Sequence, residues 1–498
     1  MTALALSPSP AQRPIRRRTR RDPNPRFKVD TTDQLDVVAG CPSLLVPGDH
    51  LARGVLRIVE QFDVSAIEAT YSSLGRHGYA PRRLLAVWIY ASLVGLHHAT
   101  KVATALKTDL ALRLLSGGHA ISRSKLNEFR QKHGALFAAL IEQTVAMAHR
   151  DGLLDPEDLA ADSMRLRANA STKAVRTLSR SKKRLAELAT VDESALSEEE
   201  RTAHRAKVDK HRNAVAECEK RDRTSIVTTN PSAALMKFPD GAGLPGHRIS
   251  TMAAGVKARF IVAVLVTAET NDYGTLESIV EATLKMLSGI GMPPDTRLQV
   301  AADAGYCAQA DLAYADRVRE HIDLLIDGTH DSEGRSRFFD RTRFTIAADG
   351  SATCPAGTPM KGPSRHSDGR TMWTGIGCAS CPLRSQCTDG RQRSLTANLE
   401  LDRLRLAMQA RMDSADGKKR YGRRIATVEP VYSNIESTMN FRRASSRHEP
   451  TIQAEVLLKV LAHNVSRLLA ARRLRRVYCL VTAEGLLVWL RSEFPAAL

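Results

Sequence analysis

Three carboxylates in this sequence stand where acids can do metal chemistry. Asp162 follows the apolar stretch Leu159–Ala161, Asp303 follows the strand-like LQVAA, and Glu429 precedes Pro430 in VEPVYSNIESTM. An acid at the end of a strand projects from the sheet edge into a cleft. Carboxylate oxygens are hard ligands of Mg²⁺, which takes only one or two of them besides water and substrate phosphate. Two such ions about 4 Å apart activate the attacking oxygen and stabilise the leaving one in phosphodiester chemistry. Each acid taken singly has a commoner explanation: an Asp after a strand is often a turn residue, and a Glu at a helix start compensates the dipole.

A second group of residues points to a different metal. Cys354, Cys378, Cys381 and Cys387 follow the pattern C-x23-C-x2-C-x5-C. Four thiolates suit tetrahedral Zn²⁺, and a CxxC turn presents two sulfurs to one ion. The spacing predicts a structural zinc knuckle, with unligated cysteines as the alternative. A four-cysteine site leaves no open position for catalysis. Cys41, Cys218, Cys307 and Cys479 have no metal-like spacing and read as ordinary reduced cysteines.

The elements that must position these groups change character along the chain. Residues 1–45 hold the basic cluster RPIRRRTRRDPNPR and read as a disordered arm. Residues 46–150 are helical in pattern, with apolar residues recurring after Pro81, a good first-turn residue. Ser122 is an N-cap candidate for a polar helix that could meet a DNA groove or simply face water. A charged insertion, 172–222, reads as two solvated helices in a hairpin, and Ser197–Glu200 mark the start of the second. Then KARFIVAVLVTAE, SIVEATLKMLSGIG and LQVAADAGY give strand, helix, strand, the grammar of an α/β sheet. Near Glu429, Val428, Tyr432, Ile435 and Met439 recur at helical spacing, so Pro430 falls in a first turn and Glu429 opens the helix.

Composition narrows the partner. Lys and Arg outnumber Asp and Glu by 73 to 54, a net +19, and this positive field suits a polyanion such as nucleic acid. Unbroken apolar runs such as Phe260–Val266 are far short of the ~18 residues of a membrane helix. No membrane partner is expected, and without an apolar segment after the N-terminal arginines a cytoplasmic, nucleoid-associated protein is expected. The chain has no GxxxxGK[ST] phosphate loop, which disfavours a nucleotide-binding regulator.

The text around the three acids resembles a known family. ADSMRLRANAS around Asp162, QVAADAGYCAQADL around Asp303 and YGRRIATVEPVYSNIESTMNFRR around Glu429 look like the three catalytic blocks of DDE-type insertion-sequence transposases, in the family's order. FDVSAIEATYSSLGRHGYAPRRLLAVWIYASLVG is similar to their helical N-terminal domain, and AEVLLKVLAHNVSRLL to their closing helix, so the likeness covers roughly residues 45–472.

That resemblance implies an α/β fold with an RNase H-like catalytic core, an N-terminal all-α DNA-binding domain, the helical hairpin and the zinc-knuckle insertion. The core would comprise 151–171, 223–345 and 396–476, the knuckle 346–395, and 477–498 would be a tail. It makes Asp162, Asp303 and Glu429 ligands of Mg (or Mn), as two ions, and draws attention to Tyr421 and Arg424 before the glutamate. It implies duplex DNA as partner, cleavage at transposon ends with strand transfer, and a dimer or larger synaptic assembly. Two positions depart from the family pattern. Glu436 stands where a basic residue is common, leaving Arg442 or Arg443 to compensate, and Asn230 stands in place of an aspartate. A weakened, transposase-derived DNA-binding protein and a nuclease without strand transfer are the rival readings.

Overall fold

The computed structural model describes residues 27–34, 40–72, 77–328, 337–347, 349–366 and 370–493. Its first part is helical. α1 (Leu51–Val59), α2 (Pro81–Leu93), α3 (Arg123–His133) and α4 (Phe137–Arg150) precede the first long strand. Pro81 lies in the first turn of α2, where its missing N–H breaks no helical bond, and that helix is buried continuously from Leu84 to Ser92. Ser122 caps α3 by accepting from the Lys125 N–H.

The basic arm lies outside the described residues up to residue 26, but its end is docked. Lys28 N–H donates to Gly78 O at 2.6 Å and Thr31 N–H to Gly117 O at 3.0 Å, so ordered chain begins well before residue 45.

A mixed sheet follows. β1 (Leu159–Arg167) leads into the insertion, whose helices α5 (Leu178–Ala189) and α6 (Glu198–Lys220) form the expected hairpin. α6 opens with a full capping box between Ser197 and Glu200, which satisfies two otherwise orphaned donors. The chain returns through β2 (Ala234–Lys237), β3 (Gly243–Ala254) and β4 (Phe260–Thr267). α7 (Leu276–Gly289), β5 (Leu298–Ala302), α8 (Gln309–Arg317) and β6 (Ile322–Ile326) complete the sheet. Its strand order is β2-β3-β1-β5-β6, with β4 also paired to β3. β1 is antiparallel to β3 and parallel to β5.

Two expectations about the acids are corrected here. Asp162 does not end a strand: β1 continues through it to Arg167 because β3 pairs with it along its whole length. Nor does Glu429 open a helix. After α9 (Leu399–Asp413), helix α10 spans Ala415–Ser433 with Pro430 inside it. Proline removes one helical N–H and leaves the carbonyl four residues earlier unpaired. That carbonyl, Ala426 O, accepts from Arg259 Nε at 2.9 Å, so the ladder is repaired from outside and the helix runs on.

The last helix, α11 (Glu449–Glu493), packs on α2, α4 and β4 and continues beyond residue 476, where a tail was expected. One apolar core links the helical region, the sheet, α10 and α11, from Leu85 and Phe137 through Val300 to Leu461 and Val465. The cysteine-bearing insertion has a small core of its own around Trp373, Phe344 and Leu395.

Candidate active site

The parallel register of β1 and β5 sets the site. Ala161 lies opposite Ala302, so the next residues along the two strands, Asp162 and Asp303, leave the paired region side by side. Asp303 caps a short 3-10 turn, accepting from Gly305 N–H at 3.0 Å. Asp162 Oδ1 accepts from the Ser163 N–H at 2.7 Å.

Arg424, from α10, joins the pair. Its Nη2 is 2.9 Å from Asp162 Oδ2 and 3.6 Å from Asp303 Oδ2, with the arginine side chain only 9% exposed. Two half-buried acids that share one cation penalise one another's ionisation. Burial pushes the Asp162 carboxyl up to about 6, Arg424 opposes the rise, and Asp303 and Asp272 add to it. Burial likewise raises Asp303, again against Arg424. Tyr432, two turns further along α10, donates to the Asp162 main-chain carbonyl at 2.6 Å and shares a 2.8 Å hydrogen bond with Thr251 on β3. The helix therefore grips both the side chain and the backbone of Asp162.

The remaining sequence candidates fall around this centre at different depths. Tyr421 donates to Asp327 Oδ2 at 3.4 Å, and burial pushes its phenol up to about 12. Glu429 is exposed on α10, off the face that carries Arg424. Arg442 and Arg443 are exposed at the far end of β1, where the main chain of the segment bonds to Arg167 on both sides, at 3.1 and 2.9 Å. Arg443 also reaches Asn169. Asn230 is buried and holds His247 and Ser232. Among the described residues, no three His, Cys, Asp or Glu side chains are grouped closely enough to enclose an ion.

Several site residues escaped the sequence reading. Arg248, on β3, is 1% exposed and donates to Ser163 Oγ at 2.6 Å and to Asp272. Asp272 follows β4, and Tyr306 follows Asp303 in the capped turn. An arginine inside a buried strand was the available signal, since such a charge needs a partner.

The four cysteines line one cavity of about 360 Å³ together with Pro355, Pro382 and Arg393. Burial raises the Cys387 thiol, Arg393 opposes this, and Cys378, Cys354 and Cys381 raise it further. None is in a disulfide.

Comparison with known families bears on this arrangement. Residues 353–469 match the model described as a transposase DDE domain, and residues 42–132 match a transposase domain (DUF772). Both matches support a DDE-type insertion-sequence transposase. No curated protein and no solved structure matches the chain. The DDE match includes the four cysteines, Tyr421, Arg424 and Glu429, while Asp162 and Asp303 lie between the two matched segments. No helix among the described residues is long and apolar enough to cross a membrane.

Proposed function

We propose that this transposase cuts at the ends of its element and joins the freed ends to target DNA, with Asp162, Asp303 and Glu429 as ligands of divalent metal. The observation that carries the reading is the convergence of Asp162 and Asp303 from two parallel strands onto one buried guanidinium. The strand order, an antiparallel group followed by two parallel strands, supports an RNase H-like core. The carboxylates fit Mg²⁺ or Mn²⁺, which prefer oxygen donors. When bound, a pair of such ions supplies an activated attacking oxygen and stabilises the leaving one.

The chain's own groups do the rest. Ser163 N–H and Gly305 N–H orient the two aspartates. Arg424 compensates their charge and, through its place on α10, couples them to the helix that bears Glu429. Tyr432 fixes the height of Asp162 against β3. A basic chain of net +19 favours a duplex DNA partner. Joining two ends calls for a dimer or larger assembly, acting in the cytoplasm on nucleoid DNA.

Cys354, Cys378, Cys381 and Cys387 fit Zn²⁺ by donor type and by sharing one cavity, and this metal would be structural. Two observations favour a second reading, a weakened DNA-binding derivative: Glu429 is exposed, and Glu436 stands where the resemblance implies a basic residue.

The test is cleavage and joining of a labelled duplex bearing the element's end, with Mg²⁺, comparing the protein with Asp303→Asn and Glu429→Gln. Products that depend on both acids are expected. Equal activity in Asp303→Asn would sink the metal reading, cleavage without joined product would leave a nuclease, and binding without cleavage would favour the derivative.

A further inference from the structure

A third carboxylate borders the aspartate pair. Asp272 lies in the connection from β4 to α7, and its Oδ2 accepts from Arg248 Nη1. Arg248 is in turn fixed by Ser163 Oγ at 2.6 Å, by Thr270 O at 2.6 Å and by Glu269 O at 3.1 Å. The charge of Arg248 explains one oxygen of Asp272 and no more. Its other oxygen, Oδ1, is buried and has no hydrogen-bond partner. A buried acceptor left without a donor loses its hydration uncompensated, so such an atom calls for a ligand.

Gly305 lies between the carboxyl groups of Asp272 and Asp303. A Cβ placed on this glycine would meet Asp303 Oδ1 at 3.0 Å and Asp272 Oδ2 at 3.2 Å. The two carboxylates therefore converge on one small volume that only a glycine leaves open. A second orphaned group sits on the residue after Gly305. Tyr306 is 0% exposed, and its hydroxyl, near Ser250, has no hydrogen bond of normal geometry. Its neighbours in the electrostatic sense are Asp272, Asp162 and Asp303 together. A packed core would bury neither a bare carboxylate oxygen nor a bare phenol beside two acids.

We infer that Asp272 is a positioning residue of the metal site, its Oδ1 accepting from a water on a divalent ion held by Asp162 and Asp303. It rests on the two-aspartate reading given above. The grouping is too open for direct ligation by all three acids, which suits Mg²⁺ and Mn²⁺, ions that retain several of their waters. Arg248 then has a defined purpose: it pins one oxygen of Asp272 so that the other keeps its aim.

The experiment is Mn²⁺ titration of the full chain followed by water-proton relaxation, with thermal unfolding in EDTA as the folding control. Loss of an outer-shell partner typically costs about tenfold to a hundredfold in metal affinity, and that loss is expected for Asp272→Asn in a protein that still unfolds cooperatively. Asp272→Glu should recover part of it. Gly305→Ala, which leaves every charge in place but fills the space between the carboxylates, should weaken Mn²⁺ as well, and it decides the matter if Asp272→Asn does not fold. Mn²⁺ binding in Asp272→Asn within about twofold of the parent, with Asp303→Asn deficient, overturns this inference alone. Undiminished binding in Asp303→Asn overturns the two-aspartate reading and this inference with it.

Discussion

Replacing Arg424 by alanine removes a cation that Asp162 and Asp303 share. Its Nη2 is 2.9 Å from the first and 3.6 Å from the second. At an effective permittivity of about 20, a unit pair roughly 4 Å apart is worth about 4 kcal/mol. Deleting one partner of a buried pair costs about 3–5 kcal/mol, because the other charge stays behind. Asp303 is 37% exposed and partly hydrated, so its share is discounted and a loss near the lower bound, about 3 kcal/mol, is expected. The assay is urea unfolding in EDTA near neutral pH for the parent, Arg424→Ala and Arg424→Lys. Lysine keeps the charge without the planar fork and should recover part of the loss. Saturating Mn²⁺ should stabilise Arg424→Ala more than the parent, since a divalent ion restores positive charge between the two acids. A loss below about 1 kcal/mol in EDTA, or an equal response of both proteins to Mn²⁺, would refute the assignment of Arg424 as their shared counter-charge.

Three further outcomes can be checked separately. Asn464 on α11 bonds both main-chain groups of Ile261 on β4, at 2.9 Å each, and donates to Thr144 at 3.0 Å. Asn464→Ala should therefore cost about 3 kcal/mol in chemical denaturation by orphaning buried backbone groups, and a loss under about 1 kcal/mol would count against it. Cys381→Ser should remove about one zinc per chain on metal analysis and lower the melting temperature; a parent protein purified without zinc would sink that expectation. Burial holds His247 and His463 down at about 4, against 6.5 for a free histidine. The unfolded chain then takes up protons first, so stability is full above pH 6.5 and falls as pH drops towards 4. Each histidine contributes up to about 3 kcal/mol, and a melting temperature that stays flat across this window would refute it.

Much of this chain is legible without its structure, because local physics fixes it. Pro81 at a helix start, the Ser122 cap, the Ser197–Glu200 capping box and the β-branched run Phe260–Thr267 each encode their element within a few residues. Asp162 and Asp303 were visible as candidates for the same reason, each at the edge of an apolar run. What lies between such segments was not visible. Helix α10 was read as starting at Glu429 since proline normally interrupts a helix, and only the approach of Arg259 to Ala426 O from a distant turn lets it pass through. The partners of Arg424 were equally hidden: the sequence shows it only as an arginine shortly before the glutamate, whereas helical rotation aims it at two aspartates from other strands. Asp272 and Arg248 carry no local motif, and their meaning arises where β3 and the turn after β4 meet beside Asp303. Sequence alone determined which elements form and which acids border them; the tertiary structure decided which charges meet, because ion pairing depends on distances of a few ångströms that only the packing of remote segments sets.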